Sequence, residues 1–132
     1  MTFVDTSAWL AIFVRNDAHC PAAREWLKEN GGQTLITTDF VIDELLTLLR
    51  CRNESERALR AGEQLVTGTM ASIELVTTAD FEEARRVFRH FNDKTWSFTD
   101  GTSRAAMTRL GIETALAFDS HFRQFGTVSV VP

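Results

Sequence analysis

Short apolar runs alternate along this chain with longer stretches in which apolar residues return every three or four positions. Thr2-Phe3-Val4, Leu35-Ile36-Thr37 and residues 72–76, 114–118 and 127–131 are of the first kind and read as strands. Residues 8–13, 19–30, 39–50, 79–91 and 99–110 are of the second kind and read as helices. Residues 53–69 are more polar, but Ala58, Leu59, Ala61, Leu65 and Val66 keep helical spacing. Thr6 or Ser7 is placed to cap the first helix and Thr38 or Asp39 the third, while Gly31-Gly32 and Gly111 are placed as stops. Over 79–91 the inward face carries Phe81, Ala84, Val87, Phe88 and Phe91. A short helical turn is expected after Asp119. Strands alternating with helices imply an α/β fold, a parallel sheet of four or five strands between two helical layers. No repeat, low-complexity stretch or linker interrupts the pattern, so residues 1–132 read as a single domain.

Composition narrows the function classes. Hydrophobic residues make up 44% and charged residues 24%, an ordinary globular balance. No apolar run approaches the ~20 residues that cross a bilayer, and the N-terminus lacks the features of a signal peptide. The expectation is a cytoplasmic protein with no membrane partner. Cys20 and Cys51 are too few and too scattered for a disulfide framework or a cysteine metal site. The net charge of −4 argues against a passive nucleic-acid binder that relies on a basic surface.

The candidate chemistry lies in four acids. Asp5 and Asp119 each fall directly after an apolar strand, at the sheet edge where ligands bind in such folds. Either alone is equally well read as the cap of the helix behind it. Glu44 is surrounded along its helix by Phe40, Val41, Leu45 and Leu48, so its charge is desolvated unless something satisfies it. Asp43 is rotated about 100° away and reads as a solvated acid. Asp100 opens the 99–110 helix at the top of a stripe shared with Ser103 and Met107. Thr6, Thr99 and Ser103 are the candidates to hydrogen-bond and orient these carboxylates, and Gly101 leaves room for a close ligand.

An oxygen-only donor set suits hard cations, Mg²⁺ with Mn²⁺ as a substitute. Four clustered carboxylates without a cation would raise one another's pKa. With one, they suit metal-assisted hydrolysis of a phosphodiester. Setting these four aside leaves the rest of the chain neutral, so the acidic balance does not exclude a phosphate substrate.

The chain resembles a known family at this point. Val4-Asp5-Thr6-Ser7, Asp43-Glu44-Leu45, Phe98-Thr99-Asp100-Gly101-Thr102-Ser103 and Phe118-Asp119-Ser120-His121-Phe122 look like the four motifs of PIN-domain nucleases, in order and spacing across the whole chain. The most similar branch is the VapC-like toxins of bacterial toxin–antitoxin pairs, which are Mg²⁺-dependent endoribonucleases. The resemblance implies that Asp5, Asp100 and Asp119 bind metal directly and that Glu44 completes the set and helps orient the nucleophile. It also implies an RNA substrate, a homodimer and a cognate antitoxin. The alternatives are a PIN nuclease of RNA processing outside such pairs, or a catalytically silent PIN-like module that binds RNA or protein.

Other residues carry smaller expectations. Arg50, Arg52, Arg57 and Arg60 cluster near a helix junction, where they contact phosphate or antitoxin, or form a solvated face balanced by Glu54 and Glu56. Arg104 follows Asp100 by one helical turn and either holds that carboxylate or meets substrate. His121 reads as a partly exposed residue on a helical turn, with proton transfer as its other role. Trp9, Phe13, Trp26, Phe40, Phe81 and Phe88 read as core or dimer interface, whereas Trp96 and Phe98 are placed to stack on an unpaired base. An aspartyl-phosphate phosphatase would need a second Asp where Ser7 stands, and a receiver domain would need a late lysine where none is present.

Overall fold

Five short strands carry the apolar runs, and seven helices connect them in the computed structural model, which describes residues 1–132. The order is β1 (Thr2–Val4), α1 (Thr6–Phe13), α2 (Cys20–Glu29), β2 (Leu35–Thr38), α3 (Asp39–Cys51), α4 (Ser55–Val66), β3 (Ser72–Glu74), α5 (Thr78–His90), α6 (Phe98–Leu110), β4 (Thr114–Leu116), α7 (Ser120–Gln124) and β5 (Ser129–Val131). The sheet runs β3-β2-β1-β4-β5 with every pairing parallel. Side chains alternate between faces along a strand. Phe3 and Val4, like Ala115 and Leu116, are consecutive and fully buried, so both faces of the sheet's centre are covered. That is the three-layer arrangement the alternation implied. No helix is long and apolar enough to cross a membrane.

The chain winds from β1 to β2 and β3 on one side, then returns to add β4 and β5 on the other. Strand order therefore reverses between β1 and β4, which places a crevice beyond their carboxyl ends. The buried Thr37 on β2 is satisfied by the Trp9 indole N–H at 3.1 Å and by donating to the Val4 carbonyl at 3.0 Å. Phe3 and Phe122 stack across the core with ring centroids 6.2 Å apart.

Several boundaries differ from the sequence reading. The first helix begins at Thr6, and its N-cap is Asp5 rather than Thr6 or Ser7, because the Asp5 carboxylate accepts the Ser7 N–H. The α2 helix ends at Asn30, whose side-chain amide donates to the Trp26 carbonyl; neither Gly31 nor Gly32 takes the left-handed conformation. Gly111 does, at φ 66°, and closes α6 as expected. Strands β3, β4 and β5 are shorter than their apolar runs because only the paired residues keep ladder geometry. Phe81 and Phe88 are 43% and 56% exposed, not inward. Small residues do the packing there: a Cβ on Gly101 would meet the Ala84 Cβ at 3.3 Å, so Gly101 lets α6 approach α5. That close contact accounts for the glycine.

An unanticipated ion pair locks the same two helices. Asp80 is buried in the capping box of α5, and the Arg109 guanidinium reaches it through Nε at 3.1 Å from both oxygens and Nη2 at 3.0 Å. Burial pushes the carboxyl up, but Arg109 and the Thr77 backbone and hydroxyl outweigh it and hold Asp80 below the usual aspartate range. Its contribution is thus present above that range and lost as pH falls through the lowered value. Asp80→Ala removes a cap and leaves Arg109 only Glu74, 3.9 Å away, an expected loss of about 2 kcal/mol in denaturant unfolding at neutral pH.

Candidate active site

The local structure that makes Asp5, Asp100 and Asp119 helix starters also aims their carboxylates. Ser7 donates its N–H and hydroxyl to Asp5 Oδ2 at 3.1 and 2.8 Å. The same hydroxyl accepts the N–H groups of Phe118 and Asp119 at 3.0 and 3.3 Å, tying the segment after β1 to the segment after β4. Asp119 caps α7 by accepting the His121 N–H at 2.9 Å. Asp100 and Ser97 form a reciprocal capping box on α6, with distances of 2.9 and 3.0 Å. Capping and clustering are therefore not alternatives here: each aspartate uses one oxygen as a cap and keeps the other for the crevice.

Glu44 enters from α3, half-buried, and its Oε2 accepts the Thr6 hydroxyl at 2.5 Å. All four acids line one cleft of about 170 Å³ with Thr6, Ser7, Ser97 and His121. A wider hollow, about 790 Å³, lies over the outer face of α5 among Glu82, Glu83, Arg85 and Arg86 and contains none of the four. Four of its charges pair with one another as Arg85–Glu82 and Arg86–Glu83 on an exposed helix, which gives it the character of a solvated helix face.

The cleft is electrostatically uncompensated. Burial, opposed by the Ser7 hydrogen bonds and aided by the nearby Asp100 charge, pushes Asp5 up to about 7. Glu44 is raised by burial, with the Thr6 hydroxyl opposing and the charges of Asp100, Asp119 and Asp43 adding. Asp100 is raised by burial and by Asp119, against relief from Ser97 and His121. The coupling of acids so distant in sequence reflects their convergence.

Among the expected supporting residues, Thr6 donates its hydroxyl to Glu44. Thr99 and Ser103 do not orient Asp100. Thr99 contributes only its carbonyl, as acceptor for Thr102, and the Ser103 hydroxyl is buried without a partner. One helical position rotates Thr99 about 100° from Asp100, which leaves the capping serine as the orienting group. Arg104 also turns away, standing 4.0 Å from Glu83. His121 is more engaged than expected: Nδ1 lies 2.9 Å from Asp100 Oδ2 and 3.3 Å from Asp119 Oδ1, and Nε2 lies 3.0 Å from Thr95 Oγ1. Nδ1 facing two carboxylates must donate, so the ring bridges the two acids. Ser7 and Ser97 are the functional neighbours that sequence reading missed; the Ser97-x-x-Asp100 spacing was a capping-box signal for one of them.

Arg57 is structural, with Nη1 donating to the Phe13 carbonyl at 2.8 Å and Nε pairing with Glu54. Arg50 is exposed and lines a groove of about 240 Å³ between α3 and α4. Trp96 donates its indole N–H to Gln124 and packs edge-on against Phe125. Phe98 begins α6 and packs on Phe81 and Phe88.

The donor set fits a divalent cation. Asp5 Oδ1 is buried with no hydrogen-bond partner, an unfavourable position for a carboxylate oxygen unless a proton or a cation meets it. Oxygen ligands of this kind suit hard cations. No three acidic, histidine or cysteine side chains converge on one metal-sized point; the four acids line the cleft without forming a closed ligand set.

Comparison with known proteins agrees with this architecture. The 23S rRNA-specific endonuclease VapC20 of Mycobacterium tuberculosis is 38% identical over 135 aligned residues, covering 100% of this chain and 99% of its own. Its crystal structure, described as that of a sarcin–ricin loop cleaving toxin, superposes with a TM-score of 0.90 over the full length of both chains, at 32% identity in that alignment. The FitAcB structure from Neisseria gonorrhoeae matches with a TM-score of 0.72 at 14% identity, over 100% of this chain and 97% of that one, a likeness of fold alone. A PIN domain family model matches residues 2–128. With the four acid-bearing motifs gathered at the switch point of a five-stranded parallel sheet, this chain belongs to the PIN-domain family.

Proposed function

We propose that this protein is a divalent-metal-dependent endoribonuclease, the toxin of a toxin–antitoxin pair, with Asp5, Glu44, Asp100 and Asp119 as its catalytic and metal-holding residues. The observation that carries this reading is the meeting of four acids from four distant segments, with Asp5 Oδ1 buried and unpaired among them. Mg²⁺ is the expected ion and Mn²⁺ its substitute, because the set is all oxygen. A bound cation there supplies an activated water and offsets charge on the reacting phosphate.

The chain's own residues do the positioning. Ser7, Ser97 and the His121 backbone fix one oxygen of Asp5, Asp100 and Asp119 respectively, so the other is pre-aimed. Thr6 holds Glu44 by Oε2, which leaves Oε1 to orient the attacking water and take its proton. Thr6 therefore acts as a support, and Thr99 and Ser103 are not part of that set. Ribosomal RNA is the substrate class to test first, given the full-length likeness to a 23S rRNA endonuclease. We read residues 1–132 as one catalytic domain working in the cytoplasm as a homodimer. A cognate antitoxin blocks the acids, and Arg50 on the α3–α4 groove is better placed than Arg104 to meet its tail.

Incubating the protein with intact ribosomes and with free 23S rRNA in Mn²⁺, then mapping ends by primer extension, tests the substrate. A dominant cut that disappears in EDTA is expected. An RNA profile identical with and without the protein contradicts the reading.

A further inference from the structure

A second hollow lies on the far side of the α6 N-terminus from the acids. It measures about 170 Å³, is partly enclosed, and is lined by the aromatic Phe88, Phe91 and Trp96, the polar Asn92, Lys94 and Ser97, and small residues of α5 and α6 that include Gly101. Ser97 lines both this hollow and the acid cleft, so the two adjoin across a single residue. We propose that this hollow is a nucleobase subsite, which takes one unpaired base of the RNA whose phosphate lies at the acids. The inference rests on the endoribonuclease reading and deepens it.

Size and chemistry support a single base as the occupant. The volume is well under the 300–1,000 Å³ typical of drug-sized ligands, so it suits one ring system. Its aromatic walls offer stacking surfaces, and stacking tolerates any base because every base has a π-face. Phe91 and Trp96 meet at 5.3 Å with planes inclined by 51°, which makes them adjoining walls rather than a closed sandwich. The Trp96 ring is fixed from behind by its hydrogen bond to Gln124 and by Phe125, so this wall is pre-positioned. Asn92 and Ser97 can read a base edge through amide and hydroxyl. Lys94, one of only two lysines in the chain, also lines the hollow and is exposed, so its ammonium can meet a backbone phosphate. RNA endonucleases that read sequence do so on splayed, unpaired bases, and this is a pocket built for one.

The test uses a short single-stranded RNA containing the mapped cut site, with one abasic nucleotide walked along it. Binding is read by fluorescence anisotropy in EDTA, where cleavage does not intervene. The comparison is wild type against Phe88→Ala and Asn92→Ala, both exposed positions whose truncation spares the core. One abasic position beside the cut should weaken wild-type binding roughly tenfold, in line with the loss of one stacked base. The same position should cost Phe88→Ala little, since the partner is already gone. Trp96→Phe, which keeps an aromatic wall, should retain the wild-type profile.

A flat abasic profile, or equal losses in wild type and Phe88→Ala, overturns the subsite; if wild type still cuts the RNA, the nuclease reading stands. Failure of wild type either to bind or to cut RNA overturns both. A change of sedimentation in Phe88→Ala with unchanged RNA affinity assigns the hollow to a second copy of the chain and overturns the proposal.

Discussion

Asp100→Asn lowers RNA cleavage by roughly three orders of magnitude and leaves the fold intact. The scale is that of losing a preorganised group that stabilises developing charge. The fold survives because asparagine keeps an oxygen to accept the Ser97 N–H, so the capping box of α6 persists. Burial already disfavours the Asp100 charge, so neutralising it costs the empty protein nothing electrostatically. Circular dichroism and RNA affinity in EDTA should match wild type, and only turnover should fall. His121→Ala should cost no more than about ten- to a hundredfold, the range for a residue that orients a ligand from behind. A His121 variant as inactive as Asp100→Asn would make the imidazole the base and displace Glu44 from that role.

Asp5→Asn raises the melting temperature of the metal-free protein at pH 8 and abolishes most of the stabilisation given by Mn²⁺. Asp5 is pushed from an ordinary 3.8 to about 7, so the unfolded chain releases its proton first as pH rises. Stability present below pH 3.8 is lost progressively up to about 7, after which the penalty is constant. The full penalty is on the order of 4 kcal/mol. Asparagine avoids it but buries an amide where Oδ1 had no partner, which costs about 1–3 kcal/mol. The net gain is about 2 kcal/mol, or roughly 5–10 °C for a domain of this size. Below pH 4 the gain vanishes and only the amide's cost remains. Saturating Mn²⁺ should stabilise wild type more at pH 8 than at pH 5.5, since protons compete for the same oxygens. A melting temperature that does not respond to Mn²⁺ at pH 8 counts against the metal assignment.

Much of this was legible in the chain. Strand and helix periods were strong where both faces are buried, as at Phe3-Val4 and Ala115-Leu116. The four acids stood out because Asp5 and Asp119 follow strands, Glu44 interrupts an apolar face and Asp100 opens a helix at the top of a core-facing stripe. What could not be read was contact between segments far apart. Ser7 bridges residues more than a hundred positions away, and His121 turns back onto Asp100, neither of which any local period encodes. Phe81 and Phe88 obeyed helical spacing yet lie outside, because Gly101 and Ala84 bring α6 so close that no large side chain fits between the helices. Periodicity locates a face; the sizes of the residues opposite decide which members of it are buried.

The four acids are proposed to cleave RNA by directing water, with a divalent cation, at a phosphodiester. End-group analysis of the cleaved RNA tests it most directly. Cleavage should leave 5′-phosphate and 3′-hydroxyl ends, formed in Mg²⁺ or Mn²⁺ and absent in EDTA, because water rather than the ribose 2′-hydroxyl attacks. Cleavage that persists undiminished in EDTA and leaves 2′,3′-cyclic phosphate ends would contradict it.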